Sequence, residues 1–97
     1  MKLQIIEEAW GIDHRTGSSS VRKTDDKTFD CVPGDLPTFE KGRRNFSIDE
    51  VTEDGITVSV HCTNEKYNKT WTLKKGDSEF YRPMSMDGGY QYTFTLK

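Results

Sequence analysis

The stretch RNFSIDEVTEDGITVSVHCT, Arg44 to Thr63, decides the fold. Two runs rich in β-branched and aromatic residues flank Asp54-Gly55, a pair that tolerates the backbone of a tight turn, so the segment reads as a β-hairpin. Its register follows from the apolar pattern. A three-residue loop, Glu53-Asp54-Gly55, with Gly55 left-handed, sets Ile48 opposite Val60 and Phe46 opposite Cys62, and gathers the apolar side chains on one face. A two-residue loop would pair Ile48 with His61 and Phe46 with Thr63, splitting those faces unless a bulge near Asp49 corrected them. The first register is the expected one.

Toward the C-terminus, Thr70 to Lys74, Glu79 to Met86 and Tyr90 to Leu96 continue the period-2 alternation as a meander. A turn at Gly76-Asp77 would oppose Leu73 to Phe80 and Trp71 to Arg82. An Asp87-Gly88-Gly89 loop would oppose Met86 to Tyr90, Met84 to Tyr92 and Phe80 to Leu96. Tyr90, Tyr92, Phe94 and Leu96 then share the core face. Pro83 has no amide to donate and belongs at a bulge or an edge.

Toward the N-terminus the signals weaken. Lys2 to Trp10 is a strand with Leu3 and Ile5 on one face and Ile6 on the other. Thr28 to Val32 is a short strand ending at the turn Pro33-Gly34-Asp35. Between them GIDHRTGSSSVRKTDDK, residues 11–27, is dense in Gly, Ser, Thr and Asp and has only Ile12 and Val21 as apolar anchors, so it reads as a long polar loop. No window carries the i, i+3, i+4, i+7 apolar spacing of a helix. The chain is thus expected to be one all-β domain over residues 1–97: a small antiparallel β-sandwich, jelly-roll or Greek-key-like, with an open barrel as the alternative.

Composition bounds the function. Ninety-seven residues hold one core and leave little room for a deep substrate cavity. The 11 aromatic residues compensate for a modest aliphatic content, since each buries on the order of 150–250 Å². A net charge of -2 provides no field to draw nucleic acid or anionic lipid, and no window is long and apolar enough for a signal h-region or a membrane helix. A soluble cytoplasmic protein is the expectation, and the Asn45-Phe46-Ser47 and Asn68-Lys69-Thr70 sequons carry no weight without a secretion signal.

Four soft-metal ligands exist, His14, Cys31, His61 and Cys62, yet His61 and Cys62 are adjacent on a strand and point to opposite faces, so neither a zinc site nor any cofactor is expected. For the same reason His61 cannot activate Cys62 as a nucleophile. In a reducing compartment Cys31 and Cys62 stay unpaired. His14, with Asp13, Arg15, Asp25, Asp26 and Asp30 along the same polar run, lacks the spacing of a cation loop. Lys41, Arg43, Arg44, Lys74 and Lys75 would resemble a single-strand groove only if they gathered at one end.

With no catalytic set in the sequence, a non-enzymatic interaction module is expected. It would bind another protein or a copy of itself through a sheet edge or the 11–27 segment, with Ile12, His14, Arg15 and Val21 as contacts. The rival is a small-ligand or carbohydrate binder that stacks its ligand on Tyr67, Trp71 and Tyr81. Exposure decides between them, because burial of Trp71 and Tyr81 would leave only the edges and the polar segment.

Overall fold

A computed structural model describes residues 1–62, 68–83 and 87–97. These form eight strands: β1 (Lys2–Ile12), β2 (Ser19–Asp30), β3 (Thr38–Phe39), β4 (Arg44–Val51), β5 (Gly55–His61), β6 (Lys69–Lys74), β7 (Ser78–Tyr81) and β8 (Gly88–Leu96). They make two antiparallel four-stranded sheets, β2-β1-β8-β7 and β3-β4-β5-β6, and neither closes into a barrel. The β-sandwich is therefore the architecture. One sheet is a meander, and the other joins two hairpins where the first strand lies beside the last, with Leu3 opposite Leu96, Ile5 opposite Phe94 and Glu7 opposite Tyr92.

The core forms where the inward faces meet. Phe46 lies at its centre, edge-on to Phe39 at 5.9 Å, Tyr92 at 5.1 Å and Phe94 at 5.1 Å, and these four rings are fully buried. Such edge-to-face contacts add about 0.5–1.5 kcal/mol per pair to the area the rings bury. The stripe Tyr92, Phe94 and Leu96 faces inward as the alternation requires, with Tyr90 partly buried at its end.

The hairpin β4–β5 differs in register from the sequence reading. Phe46 lies opposite Val60 and Ile48 opposite Val58, and Asp49 is the extra residue of a bulge before Glu50 pairs with Thr57. The loop is Glu53-Asp54, closed by Thr52 N–H donating to Gly55 O at 2.8 Å. Gly55 is not at positive φ. It is a strand residue whose missing side chain lets β6 approach, because a Cβ there would run into the backbone carbonyl of Leu73.

The meander expected after Thr70 is interrupted. β6 and β7 lie in different sheets, so Leu73 does not oppose Phe80 nor Trp71 Arg82. Asp77 N–H donates to Lys74 O at 2.8 Å and Gly76, the second central residue, has φ of +96°, the pattern of a type II turn. That turn twists against a hairpin. The chain instead passes to the other sheet, where Gly76 N–H donates to Leu96 O at 2.8 Å and Leu96 N–H to Asp77 O at 3.0 Å. In β7–β8 Tyr81 lies opposite Tyr92 and Phe80 opposite Thr93, which turns Tyr81 inward and Phe80 out to solvent. The pairings expected for Met84 and Met86 lie outside the described residues.

Residues 11–27 are mostly strand, where the sequence reading expects a loop. β1 runs on to Ile12 and β2 begins at Ser19, so only 13–18 is loop, and the rest is half of an antiparallel ladder. The segment misread as a loop because β2 is the outermost strand and is solvated on both faces through Lys23, so no apolar alternation marks it. The Pro33-Gly34-Asp35 turn is present: Asp35 N–H donates to Val32 O at 3.2 Å and Gly34 has φ of +90°.

Candidate functional site

β2 is an edge: β1 flanks it on one side and no described strand flanks it on the other. Its two halves differ. Between Glu8–Lys23 and Glu7–Asp25 the register shifts, leaving Thr24 as an extra residue in a bulge. Beyond the bulge the strand is tied to the opposite sheet, because Lys27 Nζ donates to Thr38 O at 3.0 Å and lies 5.1 Å over the Phe39 ring. At the bulge, Lys41 Nζ takes the Thr24 carbonyl at 2.9 Å. Before it, Ser19 to Lys23 are all exposed.

The ladder shows which backbone groups of that half point outward. Asp13 N–H donates to Ser18 O at 2.8 Å, so Asp13 and Ser18 form a hydrogen-bonded pair. Antiparallel pairs alternate, which makes Ile12–Ser19, Trp10–Val21 and Glu8–Lys23 the non-bonded pairs. The amide of Ile12 agrees, since it donates at 2.9 Å to Asp87 O on the far side of β1. Ser19, Val21 and Lys23 therefore aim their N–H and C=O groups away from the sheet.

Beside this edge lies a cation–aromatic row. The Arg82 guanidinium sits 4.6 Å over the Trp10 ring and 5.8 Å from that of Phe80. Arg82 donates from Nε and Nη2 to Gln91 Oε1 at 3.1 and 2.7 Å, and Gln91 Nε2 donates to Glu8 Oε1 at 3.1 Å. Trp10 pairs directly with Val21, which is 54 % exposed. An open hollow of about 370 Å³ adjoins Ala9, Trp10, Gly11, Ser20 and Arg22.

Of the residues expected at the polar segment, Ile12 and Val21 are exposed on the hairpin, Arg15 is in its tip, and His14 Nε2 lies 2.8 Å from Asp87 Oδ1. Asp25, Asp26 and Asp30 lie along β2 instead of gathering around His14. The aromatic platform loses two of its three rings: Trp71 and Tyr81 are buried, 6 % and 7 % exposed, with their rings 5.4 Å apart. Tyr67 lies outside the described residues. Both rings were drawn inward because their strands supply the outer walls of a core short of aliphatic volume. Among the described residues Phe80 is the exposed aromatic, and the half-buried Trp10 is joined to it by Arg82 from 72 positions along the chain, a juxtaposition no local pattern announces.

Two polar clusters complete the inventory. Glu7 is fully buried, and its carboxylate accepts from Thr24 Oγ1 at 2.7 Å, Tyr92 Oη at 2.8 Å and Gly42 N at 3.2 Å. On the outer face of the meander, Asp49 accepts from Ser47 Oγ at 2.7 Å and from Ser59 Oγ, which hold its carboxyl below the usual range. Ser47 Oγ is also 2.8 Å from His61 Nε2. With its proton committed to Asp49, Ser47 accepts from His61, the reverse of what a serine nucleophile requires. His61 and Cys62 point to opposite faces; Cys62 packs toward the core, its sulfur 3.4 Å from Tyr81 Oη. The basic residues do not gather at one end: Lys41 and Arg43 belong to the β3–β4 turn and Arg44 opens β4, whereas Lys74 closes β6 and Lys75 lies in the turn beside Asp54. Among the described residues no three His, Cys, Asp or Glu side chains converge as metal ligands, and no helix is long and apolar enough to cross a membrane.

No protein-family model matches the chain, and neither a curated protein nor a solved structure matches it.

Proposed function

We propose that the chain is a non-enzymatic interaction module that receives an extended protein segment along Ser19 to Lys23 of β2. The observation that supports this is the outward row of backbone groups on Ser19, Val21 and Lys23, exposed and unoccupied among the described residues. Strand addition draws its affinity from such a row and its specificity from alternate side chains, which here are Val21 beside Trp10 on one face and Arg22 on the other. Arg22 and Lys23 favour a segment that carries carboxylates or hydroxyls. The edge ends at a defined point, since the Thr24 bulge and the Lys41 clamp block further pairing.

The test is selection of extended ten-residue peptides from a library against the whole chain. Selected peptides are expected to protect the amides of Ser19, Val21 and Lys23 and to lose binding to Val21→Pro. Binders that map elsewhere, or that bind Val21→Pro equally well, would overturn the reading.

A further inference from the structure

We infer that the segment received by this edge is the same edge of a second copy, paired antiparallel about a two-fold axis through Val21; this rests on the edge reading above. A two-fold axis perpendicular to a continuous sheet passes between a residue and its own copy, so only a few centres exist. Centring on Val21 opposes Val21 to Val21, Ser19 to Lys23 and Lys23 to Ser19. Each copy offers three outward N–H and three outward C=O groups, on Ser19, Val21 and Lys23, and this register satisfies all of them.

Other centres do worse. At Arg22 two guanidinium groups meet face to face, and at Lys23 two ammonium groups, each a destabilising like-charge pair. At Ser20 the partner of Lys23 is Gly17, in the loop beyond the strand and at φ of +71°. Only the Val21 centre sets both cationic side chains opposite hydroxyls, Arg22 against Ser20 and Lys23 against Ser19.

The apolar pattern selects the same register. Trp10 is the direct neighbour of Val21, so pairing about Val21 aligns Trp10, Val21, Val21 and Trp10 across four strands. That row shields two half-exposed valines and makes one eight-stranded sheet from two four-stranded ones. Five paired residues on each side fall well short of the roughly 800 Å² per partner of a standard interface, so the dimer is weak and concentration-dependent.

Sedimentation velocity of the full chain from about 10 μM to 1 mM tests this. A monomer–dimer equilibrium is expected for the wild type. Val21→Pro is expected to stay monomeric while keeping its fold, because the amide it removes faces away from β1. Val21→Lys and Val21→Glu, which leave the backbone intact, should each be monomeric alone and dimerise when mixed. A wild type that is monomeric throughout, or a dimer unaffected by Val21→Pro or by Val21→Lys, would overturn self-pairing. A monomeric wild type whose Ser19, Val21 and Lys23 amides are nevertheless protected by a selected peptide would retain the edge and refute only the second copy. A dimer indifferent to both variants, with no peptide protecting those amides, would refute both.

Discussion

The phenol of Tyr92 donates a 2.8 Å hydrogen bond to the carboxylate of Glu7, and the two fully buried residues lie directly opposite each other on β8 and β1. A buried carboxylate is costly unless its lone pairs are occupied, and here Thr24 and Gly42 supply two further donors from the β2 bulge and the β3–β4 turn. Glu7 thus fastens both sheets to the point where the edge ends. Glu7→Gln is expected to cost about 1–3 kcal/mol, because an amide turns one of its own donors toward a donor. A urea melt within about 0.5 kcal/mol of wild type would show that the cluster contributes little.

Gly42 is required by proximity, since a Cβ there would meet the Tyr92 hydroxyl and lie 2.7 Å from Glu7 Oε2. Gly55 is required in the same way by the Leu73 carbonyl. Alanine at either site is expected to destabilise the domain by more than the 1 kcal/mol or so of a typical point substitution, Gly55→Ala the more severely because backbone on β6, and no flexible side-chain end, must move. Thermal melts of the two variants check this; a rise in melting temperature for Gly55→Ala would contradict the strand assignment.

Alkaline pH should loosen the fold. Burial, then the Glu7 carboxylate, holds the Tyr92 phenol above its usual range, while burial and the Cys62 contact push Tyr81 up to about 12. The folded state thus keeps protons that the unfolded chain releases from about pH 10, so stability is intact below that pH and falls above it. Two such groups predict a loss of about 2 kcal/mol between pH 10 and 11, and Tyr92→Phe should halve the slope. Denaturant melts at the two pH values decide it, and equal stabilities would refute it.

Much of the sandwich was legible because alternation at Phe46, Ile48, Val58 and Val60, and again at Tyr92, Phe94 and Leu96, states which face is buried. The registers were not, since a bulge at Asp49 and a strand glycine at Gly55 shift the pairing while keeping the same residues inside. β2 stayed hidden for a physical reason: a strand with solvent on both faces needs no apolar period, and Ser19, Ser20 and Thr24 look like loop residues. The edge was still marked indirectly, because Ile12 and Val21 were the only apolar residues in that run. Contacts such as His14 with Asp87 and Trp10 with Arg82 join distant positions and follow only from β1 lying beside β8.

If Asp13–Ser18 is a bonded pair, the alternation fixes the direction of every amide from Ser19 to Lys23. Ser20 and Arg22 donate into β1, whereas Ser19, Val21 and Lys23 donate to water. Hydrogen exchange measured at micromolar concentration, where copies do not pair, should therefore alternate along the strand: slow at Ser20 and Arg22, fast at the other three. Fast exchange at all five would mean that the hairpin arm opens freely and offers no ordered template. Slow exchange at Val21 in the dilute monomer would mean that its amide is already occupied, and the edge would then have no room for a partner.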